Sequence, residues 1–275
     1  MNHVLVQRIV AAVLLIPVVV AITWFSGTAV FAGFCAGVVL TGAWEWARLA
    51  GIGRTSGRLG YSLLMFCALL LCYLFRDSAM AFWLPSAGVI WWVFGLSQVV
   101  CYQRGGSTVL VSTRARAFAG LLVLLPVWFS MVSLHAYEGR GPQLVLMLMV
   151  MVWAADSAAY FVGKYLGRRR LASRVSPAKS WEGVWGAFIA TALVIPAFMY
   201  WSGIGEERPV IYFMICMAAV AASILGDLFE SMIKRIGNIK DSGDAIPGHG
   251  GILDRIDSLT AAGPVFLMAY KLTMG

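Results

Sequence analysis

The chain has 275 residues, of which 60% are hydrophobic and only 12% charged; a soluble domain carries about 25% charged residues, and one core could not bury this much apolar side chain. The formal net charge of +8 comes without a basic helix or an RNA-binding aromatic motif, which excludes nucleic acid as a partner. Cys35, Cys67, Cys72, Cys101 and Cys216 lie in or beside apolar runs and form no CxxC pair, which excludes a zinc site and a disulfide framework.

Apolar runs of about 20 residues, enough to cross the hydrocarbon core, recur along the chain. They predict an all-α polytopic integral membrane protein of about nine transmembrane helices, at 9–25, 28–49, 60–75, 80–101, 117–137, 143–163, 184–202, 209–230 and 258–274. The first follows Arg8 and reads as a retained helix, because Ser26, Gly27, Thr28 and Ala29 make only a vague cleavage site. The third and last are short. With the N-terminus in the cytoplasm, 17 of the 21 Lys and Arg residues fall in inside segments, the bias that sets orientation. The chain is a single membrane domain, 1–275. Residues 1–140 are spans with short loops, and 141–275 carry the polar chemistry, in two long loops on the cytoplasmic side.

A carboxylate inside a span costs several kcal/mol unless it faces a bundle interior or a wet cavity. Asp156, Tyr160 and Lys164 are spaced i, i+4, i+8 on the sixth span, one helical face leading toward the cytoplasmic loop. Asp227, Ser231 and Lys234 make a second such face at the end of the eighth, a stripe suited to a metal ion beside a phosphate; snorkelling charges at a helix end are the plainer reading. Glu45, between Trp44 and Trp46, reads equally well as a snorkelling residue in an aromatic belt.

The loop between the sixth and seventh spans carries Arg168, Arg169 and Arg170, which read as a positive-inside signal. It then runs through Ser176-Pro177 to Lys179, Ser180 and Glu182, a cation and a hydroxyl at a helix start, where anions bind well. The loop after the eighth span interleaves Lys234, Arg235, Lys240, Asp241, Asp244, His249, Asp254, Arg255 and Asp257, with Gly248, Gly250 and Gly251 around the histidine. Glycines let amides approach phosphate oxygens. Carboxylates are the hard ligands magnesium prefers, and Lys and Arg bind phosphate. A Gly-rich turn, paired carboxylates and interleaved cations together describe a metal–polyphosphate site; a solvated charged loop is the plainer reading.

The run from Ser231 to Ser258 resembles the signature of the phosphatidate cytidylyltransferase family at Ser231, Lys234, Arg235, Lys240, Asp241, His249, Gly250, Gly251, Asp254, Arg255 and Asp257. The upstream GDLFES, DSAAYFVGK and SPAKSWEG segments resemble family blocks as well, with Ala178 where many members have a second Lys and Ser180 for the commoner Thr. The specific resemblance covers residues 150–260.

It implies an enzyme that moves CMP from CTP to phosphatidic acid, giving CDP-diacylglycerol and pyrophosphate for phospholipid biosynthesis. It further implies a polar cavity facing the cytoplasm, a homodimer in a bacterial inner membrane, among membrane lipids, and a reaction dependent on Mg2+ with a second, monovalent cation such as K+. Asp227, Asp254 and Asp257 would hold metal. Lys179, Lys234, Arg235, Lys240 and Arg255 would hold phosphates, and His249 would orient one. Asp156, Ser180, Ser231, Asp241, Gly250 and Gly251 would complete the substrate site. The alternatives are a CTP-dependent polyprenol kinase, which leaves CDP, and an ion transporter using Asp156 and Asp227 at mid-membrane.

Overall fold

A computed structural model describes residues 15–239, 242–243 and 250–274. Lys240, Asp241, Asp244, Gly248 and His249 lie outside the described residues. The described chain is helical apart from one hairpin. Its helices are α1 (Leu15–Phe25), α2 (Thr28–Leu49), α3 (Thr55–Leu74), α4 (Met80–Gln103), α5 (Thr113–His135), α6 (Gly141–Leu166), α7 (Trp181–Ser202), α8 (Pro209–Ile236) and α9 (Leu253–Thr273). Seven of them, α2 to α8, are long and apolar enough to cross a membrane. Leu63, Leu74, Ile90, Val93, Leu193 and Tyr200 point outward with well over half their surface exposed, the pattern of an integral membrane protein whose outer face meets lipid tails.

Three differences from the sequence expectation bear on the site. The third helix has 20 residues rather than the short span expected. The eighth runs to Ile236, so Lys234 and Arg235 sit in its last turn rather than in a loop; cations there complement the exposed carbonyl ends of the helix. The last is the innermost, packing against α2, α4, α5, α6 and α8 and burying most of its length, including Ser258, Thr260 and Gly263. A helix surrounded by protein can be small and polar where a lipid-facing helix cannot, which is why hydropathy marks α9 weakly.

Close helix crossings rest on small residues, the device that lets backbones touch where no water drives association. On the α6–α7 crossing, a Cβ at Gly183 would stand 2.7 Å from the Ala159 carbonyl oxygen and one at Gly186 2.7 Å from Val162. On the α8–α9 crossing, a Cβ at Gly226 would strike the Asp257 carbonyl. That contact sets Asp227 beside Asp257. Gly226→Ala is expected to cost about 1–3 kcal/mol, as overpacking does in well-packed cores; denaturant unfolding in detergent reads it, and unchanged stability would show that the crossing yields freely.

Between α6 and α7 the chain forms an antiparallel hairpin, β1 (Arg170–Ala172) and β2 (Ser176–Ser180), with Arg170 opposite Ser180 and an irregular register. Its base is tied by Glu182, which accepts the Arg168 N–H at 3.0 Å and the Arg169 N–H at 3.2 Å. Its tip is tied by Gln103 at the end of α4, whose Oε1 accepts the Arg174 N–H at 2.9 Å and the Val175 N–H at 3.3 Å. Arg235 of α8 donates from Nε to the Val175 carbonyl at 3.3 Å.

Candidate active site

The C-terminal end of α6, the hairpin, the N-terminal turns of α7, the C-terminal half of α8 and the N-terminal turns of α9 meet at one end of the bundle around a cavity of about 640 Å³. Asp156, Tyr160 and Lys164 all line it, as their helical spacing requires. Arg170, Ser176, Lys179 and Ser180 enter from the hairpin. Asp227 comes from α8, and Asp254, Asp257 and Ser258 from α9. Arg170, set aside in the sequence as a topological charge, is one of these lining residues. Its signal was its place opposite Ser180 in a strand pair, which single-residue reading does not see.

The charges are arranged in two groups. In the first, Lys179 Nζ lies 2.5 Å from Asp227 Oδ2, and Ser231 donates to Asp227 Oδ1 at 3.3 Å. Asp227 lies within electrostatic reach of both Asp156 and Asp257. Asp156 and Ser258 line the same cavity, and Asp257 Oδ1 accepts the Ser258 N–H at 2.8 Å. In the second, Lys234 Nζ is clamped between Asp254 Oδ1 at 2.7 Å and Glu230 Oε1 at 3.2 Å. All three side chains of this triad are largely buried. Asp254 Oδ2 accepts the Gly251 N–H at 2.9 Å and the Ser242 N–H at 3.4 Å.

Several residues expected to touch substrate are thus committed to the protein. Ser180 is buried at the N-terminus of α7, where its hydroxyl accepts the Gly183 N–H at 3.1 Å; this is a helix cap. Arg235 holds the hairpin through Val175, and Lys234 holds Asp254 and Glu230. The Gly251 amide points at Asp254 rather than standing free for a phosphate. Gly250 adopts φ +78, and a Cβ there would press on Asp254 Oδ2 at 2.7 Å, so glycine suits both backbone and space. Arg255, on the exposed side of α9's first turn, is not among the residues lining the cavity.

Among the described residues no three His, Cys, Asp or Glu side chains converge as a ready metal cluster. Magnesium does not require one: it keeps several waters and takes one or two carboxylates together with substrate phosphates. Asp227 and Asp257 face one cavity with hard oxygens, and Lys179 pairs with Asp227 alone, a donor set that fits such an ion. Asp254 fits less well, because Lys234 and two amides already occupy its oxygens.

A carboxylate cluster beside Lys and Arg, opening at one end of a membrane bundle, offers the oxygens and cations that chemistry on phosphate esters needs. The chain belongs to the cytidylyltransferase family, whose family model matches residues 6–273. It is 41% identical over 261 residues to a phosphatidate cytidylyltransferase of Pseudomonas aeruginosa, with 94% of each chain covered. It is 34% identical over 281 residues to one of Haemophilus influenzae, covering 96% of this chain and 98% of the relative. It is 32% identical over 264 residues to one of Brucella suis, covering 93% and 89%. These matches run through the N-terminal spans, well beyond the 150–260 segment that carries the signature.

Proposed function

We propose that this protein transfers the CMP group of CTP to phosphatidic acid, forming CDP-diacylglycerol and pyrophosphate. A phosphate oxygen of the lipid bonds to the α-phosphorus of CTP, and the bond from that phosphorus to the β-phosphate bridging oxygen breaks. The observation that carries this reading is the cavity itself, where Lys164, Arg170 and Lys179 stand opposite Asp227 and Asp257 at one end of the bundle. A lipid phosphate lies at headgroup depth, CTP arrives from water, and only a site at a helix end meets both.

Chemistry of this kind is mainly positioning and charge neutralisation. Lys164, Arg170 and Lys179 bind the phosphates of CTP from the α6 and hairpin side. Asp227 and Asp257 would hold magnesium, which would supply charge withdrawal at the reacting phosphorus. Asp254 aligns the α9 wall through Lys234 and needs no free oxygen to do so. We place the cavity on the cytoplasmic side of a bacterial inner membrane, because the sequence puts 17 of the 21 basic residues in the segments expected inside, and the segments that carry Lys164, Arg170 and Lys179 are among them. A homodimer belongs to the same proposal, and sedimentation in detergent reads it.

The test is turnover by detergent-solubilised protein given ring-labelled CTP, phosphatidic acid and magnesium. The expected result is label in a chloroform-soluble lipid, one pyrophosphate per lipid formed, and none of either when magnesium is chelated. Conversion of CTP to CDP with no labelled lipid would identify a lipid kinase instead. Well-folded protein that leaves CTP intact, yet moves ions across proteoliposomes, would identify a transporter.

A further inference from the structure

Glu45 contradicts its reading as a snorkelling residue. It is only 4% exposed, and its carboxylate is turned into the protein. Oε1 accepts the Ile252 N–H at 3.0 Å; Oε2 accepts the Leu253 N–H at 2.9 Å and the Ser242 hydroxyl at 3.2 Å. The first amides of a helix have no partner within the helix, and Ile252 precedes α9 with no side-chain cap of its own. A carboxylate from α2, about 200 residues away in sequence, therefore does the capping. A negative group at a helix N-terminus also meets the favourable end of the helix dipole.

The same carboxylate shapes the chain around it. A Cβ at Gly243 or at Gly251 would run into Glu45, so both glycines are where the backbone folds over this side chain. Ser242 is fully buried and bridges two acids: its hydroxyl donates to Glu45 and its amide to Asp254. Gly251 donates to Asp254 and packs on Glu45. The α9 wall of the cavity, with Asp254 and Asp257 in its first two turns, is thereby set from α2, although Glu45 itself does not line that cavity.

We infer that Glu45 is the positioning residue of this active site: it fixes the start of α9, and through Ser242 and Gly251 the orientation of Asp254. It acts on one wall only. Lys164, Arg170 and Lys179 are carried by α6 and the hairpin, which Glu45 does not touch. Its loss is therefore felt in the chemical step more than in nucleotide binding.

The kinetic arm rests on the nucleotidyl transfer proposed above; a second arm, hydrogen exchange, does not. Full-length Glu45→Ala and Glu45→Gln are compared with the unaltered protein in detergent. Glu45→Ala is expected to lower kcat roughly 10–100-fold, the scale seen when an outer partner of a metal site is removed, with the KM for CTP changed by less than about threefold. Glu45→Gln fills the same volume and keeps one acceptor oxygen, so it is expected to fall between the two. Amides in 250–257 exchange faster in Glu45→Ala, while those of α5 are unchanged. Wild-type kcat in Glu45→Ala, a loss expressed wholly in KM, or faster exchange spread evenly over α5 and α8 would each overturn the inference. Should the unaltered protein leave CTP intact, the functional reading falls, and the exchange pattern alone still decides the role of Glu45.

Discussion

Asp257→Asn is expected to lower the rate of lipid labelling at least about 10³-fold, a loss of roughly 4 kcal/mol in transition-state stabilisation, while leaving the bundle folded. Asparagine keeps the shape of the side chain and an oxygen able to accept the Ser258 N–H, so the local hydrogen bond survives. What disappears is the charge. No neighbour replaces it: Asp254 is bound to Lys234, Gly251 and Ser242, and Asp227 is already the other carboxylate proposed for magnesium. The measurement is kcat with saturating CTP and phosphatidic acid, beside a thermal unfolding curve in the same detergent. A variant that kept a tenth of the activity at unchanged stability would remove Asp257 from the reaction and leave Asp227 and Asp156 as the remaining carboxylates of the cavity.

Lys234→Met is expected to act first on stability. The ammonium compensates two carboxylates, and the three side chains are 3% to 15% exposed. Removing one member of a buried ionic group leaves uncompensated charge and costs about 3–5 kcal/mol. Methionine retains most of the apolar stem, so the loss is electrostatic rather than a cavity. Adding Glu230→Gln to the same chain removes one of the stranded charges and is expected to recover part of the stability without restoring activity, since Asp254 remains unanchored. Denaturant midpoints in detergent for the single and double variants give the comparison. The sequence reading, in which Lys234 holds a substrate phosphate, predicts something different: unchanged stability and a higher KM for the substrate that carries it. The two accounts separate on one unfolding curve.

The membrane class of the protein and most span boundaries were legible from hydropathy alone, because lipid-facing surface demands apolar residues whatever the neighbours are. Asp156, Tyr160 and Lys164 were legible as one face because helical spacing is a local property. So was the signature run, since its residue types and intervals survive without any knowledge of contacts. The innermost helix was harder to delimit. Its Ser258, Thr260 and Gly263 are tolerated because protein surrounds them, and hydropathy cannot distinguish a polar helix wrapped in helices from one outside the membrane.

Which polar residue does which task was decided by tertiary contact. Lys179, Lys234 and Arg235 look alike as cations near a loop, yet one pairs with Asp227 in the cavity, one is locked between Glu230 and Asp254, and one holds the Val175 carbonyl. Ser180 and Gly251 carry no mark in the sequence saying that their polar groups are already satisfied. Glu45 is the extreme case. Its partners are two backbone amides and a serine on the far side of the chain, and a backbone amide has no residue identity for a sequence to display. Residue types and spacing are enough to state the chemistry available to this chain; only the packing of α2 and α8 against α9 determines which groups remain free to perform it, because a side chain whose polar atoms are all engaged inside the protein has none left for substrate.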